Sequence, residues 1–282
     1  MVVLPAARPD LSVLDHFTGG APVTRFAPSP TGYLHLGHVV NAIYVWGLAR
    51  ATGGRVLLRI EDHDRLRCRP QYEAALLDDL DWLGFVPDEG RHPPVRQSDR
   101  PTDFTEALGV LEARGHVYAC DCSRKRLGGK PYDGRCRDRG LAREPRRGLR
   151  VRLEGEPSGD VLIRDRDGNW TYQFAVTVDD TRQGITLVIR GQDLADSAGR
   201  QVALARLLGR QEPPAFLHHP LICDPTGRKL SKSARDTGIR ELRAAGLAPE
   251  AVIGRAAASV GLLDGPKPLP ADAVGDLFDL GR

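Results

Sequence analysis

Apolar positions along this chain fall into short runs whose spacing switches between the period of a strand and that of a helix. Val23 to Ala27 reads as a strand, Leu36 to Ala51 as a helix and Val56 to Ile60 as a second strand. Together they make a βαβ unit, which predicts a parallel sheet and a right-handed crossover. Helices are expected over Gln71 to Leu83 and over Pro101 to Arg114, the second with proline at its first position. Alternating runs at Trp170 to Val178 and Ile185 to Ile189 predict further strands. Ala195 to Leu208 reads as a helix, Phe216 to Ile222 as an apolar run, and Glu250 to Val260 and Ala271 to Leu280 as short helices. Residues 1–22, with Pro5, Pro9 and the Gly19-Gly20 pair, read as an extension leading into the first strand. The stretch from Cys120 to Arg152 is too rich in glycine and charge to be sheet core, and no internal repeat is found.

Composition changes this picture only by exclusion. At 282 residues the chain is one large domain or a domain carrying a smaller one. A hydrophobic content of 41% with 31 glycines rules out global disorder, collagen and coiled coil. The longest mostly apolar run, Val39 to Ala49, is interrupted by Asn41 and is far shorter than the roughly 20 residues a membrane span needs. The first residues carry no basic stretch ahead of an apolar one, so no secretory signal is expected, and the expected location is the cytoplasm.

Charge is more informative in its distribution than in its total of +3. Between Cys120 and Arg152 stand 12 lysines and arginines against 4 acidic residues, a local +8 that leaves −5 for the rest. A basic patch on a mildly acidic chain suggests a polyanion such as nucleic acid; the plainer reading is a solvated arginine-rich surface. The five cysteines are equally uneven: Cys68 and Cys223 stand alone, whereas Cys120, Cys122 and Cys136 lie close together. An odd count argues against a disulfide framework. Cysteines at i and i+2 cannot readily bridge each other but can chelate one tetrahedral ion, with Cys136 and a fourth donor closing the site; the alternative is three reduced structural thiols.

Neither a G-x-x-x-x-G-K-[ST] loop nor a G-x-G-x-x-G fingerprint is present, which removes most support for P-loop and dehydrogenase readings. Instead the first strand-to-helix junction reads Arg25-Phe-Ala-Pro-Ser-Pro-Thr-Gly-Tyr-Leu-His35-Leu-Gly37-His38. Its two prolines stiffen a turn that delivers His35 and His38 to the start of a helix, where backbone N–H groups and the dipole favour anions. Two imidazoles there can donate to a polyphosphate, and Gly37 lets a flat base and ribose approach the backbone. A metal at this histidine pair is the weaker reading. Near the other end, Asp224-Pro-Thr-Gly-Arg-Lys229-Leu-Ser231-Lys232-Ser233 holds two of only five lysines. A cationic loop of this kind can stabilise charge developing on a phosphate, although taken alone it reads as a solvated basic loop.

The two motifs together, His-Leu-Gly-His and Lys-Leu-Ser-Lys-Ser, resemble the ATP site of class I aminoacyl-tRNA synthetases. Within that class, Arg25-Phe-Ala-Pro-Ser-Pro-Thr-Gly, Leu58-Arg-Ile-Glu61-Asp-His-Asp64, Val178-Asp-Asp-Thr-Arg-Gln-Gly-Ile-Thr and Ile189-Arg190-Gly-Gln-Asp193 resemble the glutamyl-tRNA synthetase family. The resemblance runs from about Val23 to Ser233, through at least five motifs in the family's order. It implies an α/β fold with a Rossmann-like parallel sheet, an inserted zinc-bearing subdomain, short C-terminal helices and no anticodon-binding domain. The implied organisation is an extension over 1–22, halves of a nucleotide-binding catalytic domain over 23–115 and 153–235, a basic zinc-bearing insertion over 116–152, and a helical region over 236–282. It further implies an enzyme using ATP and Mg2+, with His35, His38, Lys229 and Lys232 catalytic and Gly37, Ser231, Ser233 and Lys232 on the nucleotide.

The amino-acid pocket matches too. Free L-glutamate needs cations for its carboxylates and an anion for its amine. Arg25 and Arg190 are candidates for the first and Glu61 for the second, with Ala27, Ser29 and Tyr172 completing the family's pocket. Asp62 and Asp64 read as a solvated or magnesium-associated turn, and His63 is given no role. The resemblance is nearest to a short branch of the family acting on queuosine in the anticodon loop of tRNA(Asp). Fewer than 50 residues follow Ser233, and Cys120, Cys122, Tyr132 and Cys136 resemble that branch's zinc site. His116 or water compete with Tyr132 for the fourth position. The expected partners are therefore L-glutamate and queuosine-containing tRNA(Asp), with no membrane, and the expected state is a monomer. Two other readings stay open: a truncated enzyme charging the 3′ end of tRNA(Glu), or a non-catalytic zinc-containing RNA-binding relative.

Overall fold

The computed structural model describes residues 10–17, 20–64, 67–128, 131–157, 159–222 and 238–278. In chain order the elements are β1 (Val23–Phe26), α1 (Leu36–Thr52), β2 (Arg55–Ile60), α2 (Pro70–Leu83), β3 (Val95–Arg96), α3 (Pro101–Ala113), β4 (Val117–Cys120) and α4 (Arg124–Leu127). There follow β5 (Gly148–Val151), β6 (Val161–Arg164), α5 (Tyr172–Arg182), β7 (Leu187–Gly191), α6 (Ala198–Leu207), β8 (Ala215–His219), α7 (Ile239–Ala244) and α8 (Pro249–Ser259). Three 3-10 helices, Ser12–Phe17, Gln192–Ser197 and Ala271–Leu277, complete the described set. No helix among the described residues is long and apolar enough to cross a membrane.

The chain forms two compact units. The first takes residues 1–95, 185–195 and 215–282, and the second takes 96–184 and 196–214. In the first unit β1 pairs with β2 in parallel, Arg25 opposite Leu57, and β7 pairs with β8 in parallel, Arg190 opposite His218. Thr186 N donates to Val23 O and Val23 N to Thr186 Oγ1, both at 2.9 Å, which sets the entry to β7 beside β1. The expected parallel βαβ unit is thus present. Helix α1 is buried from Val39 to Ala49 apart from Asn41, and it ends where Gly53 turns left-handed at φ 67°. Its apolar surface shares one core with β1, β2, β7, α2 and α8. Leu14, 1% exposed, belongs to that core. The segment read as a plain extension therefore contributes a packed 3-10 turn.

In the second unit β4, β5 and β6 make an antiparallel sheet. This corrects the reading of Cys120 to Arg152 as unsuited to sheet: Gly148–Val151 is a fully buried strand. Side chains alternate across it, as the strand period demands. Leu149 and Val151 face a core built with Phe104, Leu111, Phe174 and Leu204, whereas Arg150 reaches the sulfur of Cys120. A register shift between Leu149 and Arg150 interrupts the pairing with β6 there.

Within Trp170 to Val178, the stretch from Tyr172 onward is not a strand but the start of α5. Phe174 to Asp180 are all buried, so the helix has no solvated face to impose a 3.6-residue rhythm, and its β-branched residues mimic a strand pattern. Its polar groups are satisfied internally: Thr177 and Thr181 hydroxyls donate to carbonyls four residues back, and Asp179 accepts from Gln97 Nε2 at 2.6 Å and from Arg100.

Candidate active site and metal centre

The candidate residues of the first unit gather where its parallel strands end, the usual place for a ligand in an open α/β sheet. Arg25 lies in β1, 5% exposed, and its Nη1 donates to Ile189 O at 3.4 Å in β7. Glu61 follows β2 directly; its N–H donates to Pro28 O at 3.0 Å, which draws it against the loop carrying Ala27 and Ser29. Cys68 Sγ closes that corner, 3.8 Å from Ser29 Oγ and 4.0 Å from Glu61 O. Arg59 Nη2 donates to Glu61 Oε1 at 2.9 Å, so the carboxylate expected to face an amine is held by a fully buried guanidinium. Arg190, 4% exposed, lies over Phe216 and donates from Nε to His218 Nε2 at 3.2 Å. Burial, and then Arg190, push the His218 pKa down, which keeps that ring neutral and able to accept.

His35 and His38 begin α1 as a reciprocal cap. His35 Nδ1 accepts from Gly37 N at 3.1 Å, and His38 Nδ1 accepts from His35 N at 3.1 Å. A neutral imidazole that accepts at Nδ1 carries its proton on Nε2, which is the donor a phosphate oxygen requires. The rings lie 4.0 Å apart between centroids. Gly37 has a reason beyond ligand access: a Cβ there would stand 2.9 Å from His35 Cε1. Deeper in α1, Asn41 Nδ2 reaches His219 Nε2 at 3.0 Å and Ile189 O at 3.4 Å, tying the helix to β7 and β8. Burial pushes His219 down to about 4. Tyr172 opens α5 in the second unit, half-buried. Lys229, Ser231, Lys232 and Ser233 lie outside the described residues.

The second unit assembles the cysteine cluster. Cys120, Cys122 and Cys136 are buried and their sulfurs lie within 4.8 Å of one another, with Cys122 Sγ 3.7 Å from Cys136 Sγ. They form no disulfide. Sulfurs at the corners of a tetrahedron around Zn2+, each at about 2.3 Å, stand about 3.8 Å apart, so the spacing fits that ion. Tyr132 shares the cluster, its Oη 3.8 Å from Cys120 Sγ and 2.9 Å from Cys136 N, whereas His116 is not among the ligating groups gathered there. Burial, and then the hydrogen bond with Cys136, push the Cys122 thiol up to about 12. Asp160, 2% exposed, anchors the surround. It accepts from Tyr118, from Arg137 and from Leu153 N; burial raises its pKa, but these bonds outweigh it and hold the carboxyl below its ordinary value.

The model of the class I tRNA synthetases (E and Q), catalytic domain, matches residues 22–144 and 138–260. The chain belongs to that family. A glutamyl-Q tRNA(Asp) synthetase of Symbiobacterium thermophilum is 40% identical over 301 residues, covering 92% of each chain. The Rhodobacter capsulatus protein of the same name is 40% identical over 272 residues, 80% of this chain and 96% of its own. Among solved structures, a glutamate tRNA ligase of Elizabethkingia meningosepticum, in complex with its amino acid, is similar over 93% of this chain with a TM-score of 0.73 and 28% identity. This synthetase chain spans 65% of that ligase's length.

Several groups at these sites escape a reading of motifs. Arg59, His218 and Arg150 act through a neighbouring strand or residue, and only the pairing reveals them. A signal existed for two: each is a charged residue between apolar neighbours in a buried stretch of strand, Arg59 between Leu58 and Ile60 and Arg150 between Leu149 and Val151.

Proposed function

We propose that this synthetase activates L-glutamate with ATP and transfers it to queuosine in the anticodon loop of tRNA(Asp). The observation that carries the proposal is the 40% identity to a relative of that name over 92% of each chain. The chemistry is consistent with the geometry. Glutamate's α-carboxylate attacks the α-phosphorus of ATP and pyrophosphate leaves; the queuosine nucleophile then takes the glutamyl group and AMP leaves. His35 and His38 offer Nε2 protons at the N-terminus of α1, and Lys229, Lys232, Ser231 and Ser233 would supply the opposing side of the nucleotide. Arg25 and Arg190 are the cations for glutamate's carboxylates, with Glu61, Ala27 and Ser29 as the remaining pocket within the first unit. Magnesium supplies phosphate charge neutralisation when bound. Zinc, held by Cys120, Cys122, Cys136 and Tyr132, is structural, and the basic segment around it contacts tRNA phosphates. The enzyme works in the cytoplasm as a monomer.

The Elizabethkingia meningosepticum structure is that of a glutamate tRNA ligase, which favours charging of tRNA(Glu) as the second reading. One assay separates the two. Radiolabelled glutamate is offered with tRNA(Asp) carrying or lacking queuosine, and with tRNA(Glu). Label on queuosine-containing tRNA(Asp) alone is the expected result; label at the 3′ end of tRNA(Glu) would establish the second reading instead.

A further inference from the structure

Arg150 is the most unusual cation in the second unit. It is 6% exposed, yet among the described residues it forms no ion pair with a carboxylate. Other arginines here show the ordinary solution: Arg137 meets Asp160 and Arg100 meets Asp179. Burying a guanidinium without an anion is costly. What Arg150 touches instead is the metal centre. Nε donates to Cys120 Sγ at 3.3 Å, the guanidinium lies over the Tyr132 ring with 3.7 Å to its centroid, and Nη1 donates to Asp160 O at 2.7 Å. Two of the four expected ligands are therefore held by one side chain, which is itself fixed to the backbone of the next loop.

We propose that Arg150 is a positioning residue of the metal centre, orienting Cys120 and Tyr132 and supplying the counter-charge that their anionic forms require. The inference rests on the zinc reading above. Ligands bind zinc deprotonated, so three thiolates and a phenolate around a divalent cation carry a formal charge of about −2. A buried cation against two of those ligands offsets part of that charge. Arg139 also approaches, with Nη1 3.5 Å from Cys136 Sγ, but it pairs with Asp121 at 2.9 Å and lies half in solvent. Its counter-charge is already partly used. The planar fork of arginine suits the double contact: it lies flat on a ring while an edge N–H reaches sulfur, which a lysine ammonium cannot do.

The test uses the full chain, purified without chelator. Zinc content is measured by elemental analysis, zinc affinity by competition with a chromogenic chelator, and the ligand field by absorption of the cobalt-substituted protein. About one zinc per wild-type chain is expected. R150M should bind zinc about 10- to 100-fold more weakly and shift the cobalt spectrum. R150K should recover only part of the affinity. In a Y132F background the loss caused by R150M should shrink, because half of what Arg150 orients is gone. If R150M does not fold without metal, R150K alone and with Y132F makes the same comparison. Affinity within twofold of wild type in both R150M and R150K, with an unchanged cobalt spectrum, would overturn the role of Arg150 and leave the zinc reading intact. A wild-type chain that takes up neither metal would overturn both.

Discussion

Asp79 carries a charge the fold would rather not hold. It is 2% exposed in α2, and its Oδ2 has no hydrogen-bond partner among the described residues. It lines a cavity of about 240 Å³ with Asp78, Arg240 and Arg243. Burial, and then the neighbouring Asp78, raise its carboxyl to about 6 against the weaker pull of Arg243 and Arg240. The sign follows from linkage. The folded chain binds a proton here that the unfolded chain, with a carboxyl near 4, has already released; stability therefore falls as pH rises from about 4 to 6 and stays lower above. Asp79→Asn removes the penalty. The variant should be more stable than wild type at pH 7.5 by on the order of 1–3 kcal/mol, with the two converging near pH 4. Urea unfolding across that range checks this; a constant difference at every pH would rule out the carboxyl as its source.

At the scale of an element, α1 joins stability to chemistry through one residue. His35 caps the helix with Nδ1 and, on the proposed function, donates to phosphate with Nε2. The two roles are separable. His35→Ala should lose about 1 kcal/mol of stability and a large part of the adenylation rate. His35→Asn, with a side chain that caps well, should recover most of the stability and little of the rate, read by thermal unfolding beside glutamate-dependent pyrophosphate exchange. Recovery of the rate with asparagine would reduce His35 to a cap. This helix was legible because seventeen residues of apolar pattern are too long for a strand and end at glycine. Helix α5 was not: its apolar and polar residues are buried alike, so nothing periodic survives in the sequence. The sheet of β4, β5 and β6 was hidden for a related reason, since one of its faces holds a cysteine cluster and Arg150 instead of a second apolar layer. The site followed the same division. Residues tied to a local motif, such as His35 or Cys122, could be named from spacing, whereas Arg59, His218 and Arg150 depend on contacts that only folding creates.

For the molecule as a whole, the charge map differs from the local +8 that composition suggests. Arg135, Arg139, Arg147 and Arg152 pair with acidic residues of the same segment, and Arg137 and Arg143 pair with Asp160 and Glu112 beyond it. Arg150 is buried against sulfur and aromatic ring. Lys125 and Arg126 on α4, and Arg146, are exposed and form no ion pair among the described residues. Phosphate binding releases counterions in proportion to the cations that make contact, and a cation already paired has less to give. If this segment contacts tRNA, α4 should account for a disproportionate share of the salt dependence. Replacing Lys125 and Arg126 with alanine should flatten the plot of log affinity against log salt by about 1 to 2. The paired control, Arg135→Gln with Asp133→Asn, leaves the net charge unchanged and should leave the slope unchanged as well. Fluorescence anisotropy with labelled tRNA(Asp) over a salt series measures both, and an unchanged slope in the Lys125 and Arg126 variant would move the phosphate contact away from α4.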